Sequence, residues 1–207
     1  MAVSPDGTTL VLFTTGKDNS HPMRLYDVRR KTKVAYETEE LEKFCTRQSF
    51  SSSQEPRESQ EVNSASFSSE GRLLSVARSD NRLHVYDVRA LSKGPLCRFE
   101  HHGSDVVGGG GYGIVEAKWV EGRDRRRVGL VSGGNDGYVR LWEPALSYKD
   151  ELQGAILGRT DFDVGYFSIG DGWKGEKPLV IGDSGGGMHV YDLTDDDGEP
   201  IERLLGR

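Results

Sequence analysis

The chain has no long apolar run, no excess of positive charge and almost no cysteine, and each shortage removes a class of protein. No stretch approaches the ~20 apolar residues of a membrane-spanning helix, and the N-terminus has no signal-peptide pattern. Lys and Arg number 27 against 33 Asp and Glu, a net charge of -6, so the basic footprint of a nucleic-acid module is missing. Cys45 and Cys97 stand far apart without CxxC spacing, which makes neither a disulfide framework nor a zinc site. An intracellular setting, cytoplasmic or nuclear, is the expectation, with neither membrane nor nucleic acid as partner. Glycine is what the chain has in excess, 27 of 207 residues. So many turn formers imply many short elements, in a chain long enough to bury a good core.

Self-similarity organises those elements. "MRLYDVR" (23–29), "LHVYDVR" (83–89), "YVRLWEP" (138–144) and "MHVYDL" (188–193) each alternate in strand fashion and end in an aromatic followed by an acid. The aromatics Tyr26, Tyr86, Trp142 and Tyr191 are 60, 56 and 49 residues apart. Upstream of each lies a second apolar run, "TLVLFTT", "RLLSVAR", "RVGLVSG" and "PLVIGDS". Before that comes a third, ending in a glycine turn: "MAVSPDG", "VNSASFSSEG", "IVEAKWVEG" and "VGYFSIGDG". Weaker fourth candidates follow the aromatic: "KVAYETE", "PLCRFEHH", "ELQGAIL" and "PIERLLG". Each unit thus offers four strands, a to d. A four-stranded sheet with two apolar faces cannot bury both alone, and stacking the units around an axis does.

"SPDG" followed by "LYDVR", and "GLVSGGNDGYVRLWEP", resemble the blades of WD-repeat β-propellers. The resemblance implies an all-β propeller of about four four-stranded antiparallel blades, over 1–44, 62–102, 114–157 and 164–207. It also implies a hydrogen-bond network that pins a blade: His102, or His101 beside it, with Ser132, Asp136 and Trp142. In units one, two and four Tyr replaces Trp, and only unit two keeps an acid, Asp80, at the matching turn position. Those blades should lean more on apolar packing. Four units are fewer than the ring usual for such proteins, so an incomplete ring is expected, with apolar end faces unless another chain completes it. The chain would then be one propeller domain or a half-propeller, either part of a longer protein, self-associated, or closed as a smaller ring.

Two stretches imitate active sites. "GDSGG" around Ser184 is the setting of the nucleophile in chymotrypsin-like proteases, but none of the five histidines has the matching context. Six residues before each aromatic stand Asp80, Asp136 and Gly185, so "GDSGGG" reads as a b–c turn. "GGGGYGIV" (108–115) fits a GxGxxGxV phosphate loop, but the partner motifs and the following helix are missing. It reads as a loop insertion between blades. The serine-rich 45–61 reads as a mobile inter-blade insertion, 144–162 as a long connection with room for a helical turn, and Arg123, Arg125, Arg126 and Arg127 as a solvated loop or an anion contact.

No metal, cofactor or catalytic set emerges. The expected role is a non-catalytic protein–protein interaction scaffold, a subunit of a larger complex, that displays loops at the channel mouth. Candidate contacts there are Arg78, Asp80, Asn81, Asn135, Tyr138 and Asp183, with Trp173 on an a–b insertion that can lie on the opposite face. A propeller binding a small ligand or glycan is the alternative, and an enzyme with a site at the channel mouth comes after it. Other proteins, and a second copy meeting the open blade faces, are the expected partners.

Overall fold

The computed structural model describes residues 1–13, 23–29, 35–37, 61–101, 112–121, 128–145, 154–170 and 179–191. They form four antiparallel sheets in chain order. Blade one holds β1 (Ala2–Val3), β2 (Thr9–Phe13), β3 (Met23–Asp27) and β4 (Ala35–Glu37). Blade two holds β5 (Val62–Phe67), β6 (Leu73–Arg78), β7 (Arg82–Asp87) and β8 (Cys97–Glu100). Blade three holds β9 (Ile114–Glu121), β10 (Val128–Gly134), β11 (Tyr138–Trp142) and β12 (Ala155–Arg159). Blade four shows β13 (Val164–Ile169), β14 (Leu179–Asp183) and β15 (Met188–Tyr191), while its fourth candidate strand, "PIERLLG", lies outside the described residues. No helix among the described residues is long and apolar enough to cross a membrane.

Sequential strands pair through hairpins whose turns follow from their residues. In blades one and two the a–b turns are built alike. Ser4 and Ser68 accept the backbone N–H of Thr9 and Leu73 on their hydroxyls, at 2.8 and 3.1 Å, and Gly7 and Gly71 take φ of 69° and 68°. In the b–c turns of blades two to four the residue five before the aromatic is left-handed: Asn81, Gly137 and Gly186, with φ of 62°, 74° and 86°. Glycine adopts that conformation without strain, and Asn is the side chain that tolerates it best.

The core lies between the sheets. Val11, Met23 and Leu25 of blade one pack on Leu74, Val76 and Tyr86 of blade two. Leu83, Val85 and Phe99 meet Leu130 and Trp142, and Val131, Val139 and Leu141 meet Phe167, Leu179 and Ile181. Each strand a of blades two to four carries one bulge at its entry. In blade two the extra residue, Asn63, turns its amide onto the carbonyls of Tyr112 and Ile114 in the next blade, latching the two sheets.

Two expected spans shift. Strand d of blade three runs Ala155–Arg159, later than "ELQGAIL" suggested. It starts after Gly154, whose φ of 77° lets the backbone lie against the Trp142 ring, where a Cβ would stand 2.7 Å from the indole. The connection 144–162 therefore carries a strand in its second half, and 146–153 fall outside the described residues, as does the insertion 45–60. Between β7 and β8 the chain makes a short 3-10 turn, Val88–Lys93, begun by the Asp87 carboxylate accepting the Arg89 N–H.

Candidate functional site

The polar residues of the b–c hairpin of blade three reach Trp142 on strand c. They form one continuous chain. Trp142 Nε1 donates to Ser132 Oγ at 2.8 Å. Ser132 Oγ lies 2.7 Å from His101 Nε2, and His101 Nδ1 lies 2.9 Å from Asp136 Oδ1. One assignment satisfies every atom with a neutral imidazole. Nδ1–H donates to the carboxylate, the Ser132 hydroxyl donates to Nε2, and the indole donates to Ser132. Burial alone would raise the Asp136 carboxyl, but hydrogen bonds from His101 and the Tyr138 N–H, with the Arg140 guanidinium at 3.2 Å, hold it below the usual carboxylate range.

The histidine of this network is His101; His102 lies outside the described residues. His101 also donates its backbone N–H to the Asn81 carbonyl at 3.0 Å. Its ring fills space that Gly134 leaves open, since a Cβ on that residue would stand 2.8 Å from Nδ1.

Ser132, His101 and Asp136 reproduce the hydrogen bonds of an acyl-transfer triad. Chemistry would also require access. Ser132 is 0% exposed, and its oxygen is already occupied by the indole. The trio is a fastening.

The "GDSGG" turn offers access but no triad. Ser184 is exposed and donates its backbone N–H to the Asp163 carbonyl. The neighbouring acid and base bond each other: His189 Nε2 lies 2.9 Å from Asp183 Oδ2. The His189 hydrogen bond and the Gly187 N–H hold the Asp183 carboxyl below the usual range. No hydrogen bond joins the Ser184 hydroxyl to a histidine among the described residues. The glycines serve packing: Gly185 lies under the Phe162 ring, Gly187 under the Asp183 carboxylate, and Gly186 is left-handed. The end of "GGGGYG" has the same explanation. Gly113, with φ of 65°, passes so close to the backbone of Arg78 and Ser79 that a Cβ would collide with it.

The candidate contact residues separate. Arg78 and Asp183 are corrected: their side chains are 4% and 3% exposed, spent on Asp80 at 3.0 Å and on His189. Each bonds a partner on its own hairpin, Asp80 for Arg78 and His189 for Asp183. Asp80 remains half-exposed beside Arg78 and Arg82. Asn81 is the left-handed turn residue. Asn135 donates its N–H to Gly113 O, and Tyr138 lies between the guanidiniums of Arg140 and Arg159, at 4.8 and 5.5 Å. Trp173 lies outside the described residues.

Two aromatics on the same rim escaped the sequence reading. Tyr112 and Phe162 are 68% and 47% exposed. Both sit in d–a connections, which antiparallel order brings to the b–c end of the blades. The available signal was an aromatic inside a polar or glycine-rich loop. Among the described residues no group of three His, Cys, Asp or Glu could hold a metal ion.

Known proteins confirm the architecture. The family described as "WD domain, G-beta repeat" matches residues 48–87. In structure the chain is similar to the Dos1 propeller, with TM-score 0.60 and 19% identity over 96% of this chain and 42% of that one. It is also similar to the C-terminal WD40 domain of Sif2, with TM-score 0.54 and 18% identity over 92% of this chain and 42% of that one. In sequence it is similar to Rik1-associated factor 1 of Schizosaccharomyces pombe (strain 972 / ATCC 24843), 27% identical over 150 residues, 67% of this chain and 21% of that protein. A 66-residue stretch, 30% of the chain, is 38% identical to 4% of the serine protease SepA autotransporter of Shigella flexneri.

The chain has the WD-repeat β-propeller fold, with four blades in succession. It spans about a fifth of the length of the first relative and less than half of each solved propeller.

Proposed function

We propose that the chain is a non-catalytic protein–protein interaction scaffold of the WD-repeat type, acting inside the cell as part of a larger assembly. One observation carries this reading. Among the described residues the buried Ser132, His101 and Asp136 are spent on fastening a blade, while exposed aromatics sit on a cross-linked rim. The b–c turns and d–a junctions cross-link there through His101 to Asn81, Asn135 to Gly113, Thr160 to Gly137 and Ser184 to Asp163. Aromatic side chains on a preorganised surface supply large contact area at low entropic cost, which is how a few residues dominate an interface. The similarity to Rik1-associated factor 1, named as an associated factor, agrees with a role inside a complex.

The test is capture of partners by the intact chain, with Tyr112→Ala and Tyr138→Ala beside the wild type. Loss of one partner by about tenfold or more in either variant supports the reading. Partner recovery indifferent to both, together with ester or peptide hydrolysis abolished by Ser184→Ala, would overturn it.

A further inference from the structure

We propose that the junction between blades three and four, Asp161, Phe162 and Asp163, takes the ammonium or guanidinium of a lysine or arginine in a partner polypeptide. The proposal deepens the scaffold reading above and rests on it.

The junction is held by its main chain. Thr160 donates its backbone N–H to the Gly137 carbonyl at 2.8 Å and its hydroxyl to the Phe162 carbonyl at 2.6 Å. Ser184 donates its N–H to the Asp163 carbonyl at 2.9 Å. The Phe162 ring lies on Gly185, where a Cβ would stand 2.6 Å from it. These contacts fix the loop before a ligand arrives, so binding has little left to order.

The Asp163 side chain has no share in that fastening. It is 8% exposed, and its Oδ1 is buried without a hydrogen-bond partner. Among the described residues no lysine, arginine or histidine forms an ion pair with it. Arg159 stacks on Tyr138 instead, 5.5 Å from that ring. A carboxylate left in this state costs stability. The fold does not require it. At the matching junction of blade three stands Gly113, whose carbonyl accepts the Asn135 N–H at 3.0 Å. The same fastening is made there with no side chain at all. Asp163 is therefore a buried polar group that the blade junction can do without, and such a group calls for a reason outside the fold.

The surroundings select a cation. Asp161 is exposed and adds a second carboxylate. Phe162, 47% exposed, supplies an aromatic ring between the two acids in sequence. Carboxylates and an aromatic ring attract an ammonium or guanidinium together. The net charge of -6 draws a basic segment toward the chain. The arginines of 122–127 and the lysines of 171–178 belong to a–b connections, and the strand ends that flank them lie at the opposite end of the blades. The site also lies between two blades that already pack on each other, so no further blade stacks over it.

The probe is a fluorescent peptide alternating lysine with glycine, titrated into the 207-residue chain and read by anisotropy, with glutamine replacing lysine as the control. Wild type should bind the lysine peptide saturably and ignore the control. Asp163→Asn should weaken binding about tenfold. Phe162→Leu keeps an apolar side chain on Gly185 and should weaken it about threefold. Glu70→Gln removes the same formal charge from an exposed acid at the other end of the blades and should leave binding unchanged. The urea midpoint of Asp163→Asn should be no lower than that of wild type, which a fastening role would not allow. Absence of saturable binding overturns the proposal. Equal weakening by Glu70→Gln, the mark of general attraction to an acidic chain, overturns it too, as does binding that survives Asp163→Asn. If Asp163→Asn fails to fold, Asp161→Asn combined with Phe162→Leu decides, and binding unmoved by that pair overturns the proposal. If the site fails while Tyr112→Ala or Tyr138→Ala still loses a captured partner, the scaffold reading stands without it.

Discussion

Blades three and four use the same strand pattern and hold their hairpins together in opposite ways. In blade three, Trp142, Ser132, His101 and Asp136 form a closed, buried chain in which every polar atom is answered. In blade four the equivalent of Trp142 is Tyr191, Ser132 becomes Ile181, Asp136 becomes Gly185, and Thr160 takes the junction place of His101. Thr160 donates its backbone N–H to Gly137 O and its hydroxyl to Phe162 O, and the acid–base pair moves to Asp183 and His189 at the edge. Blade two uses a third arrangement, Arg78 on Asp80, with buried His84 beside the Tyr86 hydroxyl. The difference teaches that one backbone hairpin accepts several polar solutions. Only the blade-three solution answers every polar atom of its hairpin; in blade two Asp80 Oδ1 and Asn81 Oδ1 are buried without a hydrogen-bond partner.

That contrast can be broken at Ser132. Ser132→Ala orphans the indole N–H and a histidine nitrogen, both buried. It should cost about 2–4 kcal/mol in urea unfolding, whereas Ser184→Ala in the exposed turn of blade four should stay within about 0.5 kcal/mol. Glycines at matched positions, nine before the aromatic, come next. A Cβ on Gly133 would stand 2.7 Å from Val164 across a filled interface, while on Gly182 the nearest atom is 3.9 Å away. Gly133→Ala should cost about 1–3 kcal/mol, and Gly182→Ala about 0.5 kcal/mol or less.

The pH dependence sharpens the comparison with blade two. Burial, with Arg78, Arg98 and Arg82 nearby, pushes the His84 imidazole down to about 3 from 6.5. The unfolded chain therefore takes up this proton first as pH falls. The stabilisation is complete above pH 6.5 and declines between 6.5 and 3 by about 1.4 kcal/mol per pH unit at most. His84→Gln should flatten that stretch of the stability curve. Asp136 and Asp183, both held below the ordinary carboxylate value of 3.8, add losses only as pH falls below it. A small effect is also expected at His189→Ala. That side chain is 35% exposed, and solvent screens its pair with Asp183, so the unfolding free energy should change by less than about 1 kcal/mol.

Much of this was legible in the residues themselves. The four aromatic–acid endings marked four strands, and counting back from them placed the "GDSGGG" segment in the same turn as "GGNDG". The structure added that the residue after each counted one, Asn81, Gly137 and Gly186, takes a positive φ. Buried Arg78 and Asp183 were not legible as such, because an ion on a turn reads as a displayed charge until its partner on the same hairpin is seen. Tyr112 and Phe162 were missed for the converse reason: aromatics in loops carry no periodicity to mark them.

The sequence by itself determined the number of blades, their strand order and the positions of their turns, since alternation and turn chemistry are properties of neighbouring residues. Tertiary structure decided which histidine fastens blade three and which polar side chains are buried. The choice between His101 and His102 is one residue, and one residue reverses the side a strand-end side chain faces. The partners of His101 lie 31 and 35 residues away, a distance that only the stacking of finished sheets brings to hydrogen-bond range.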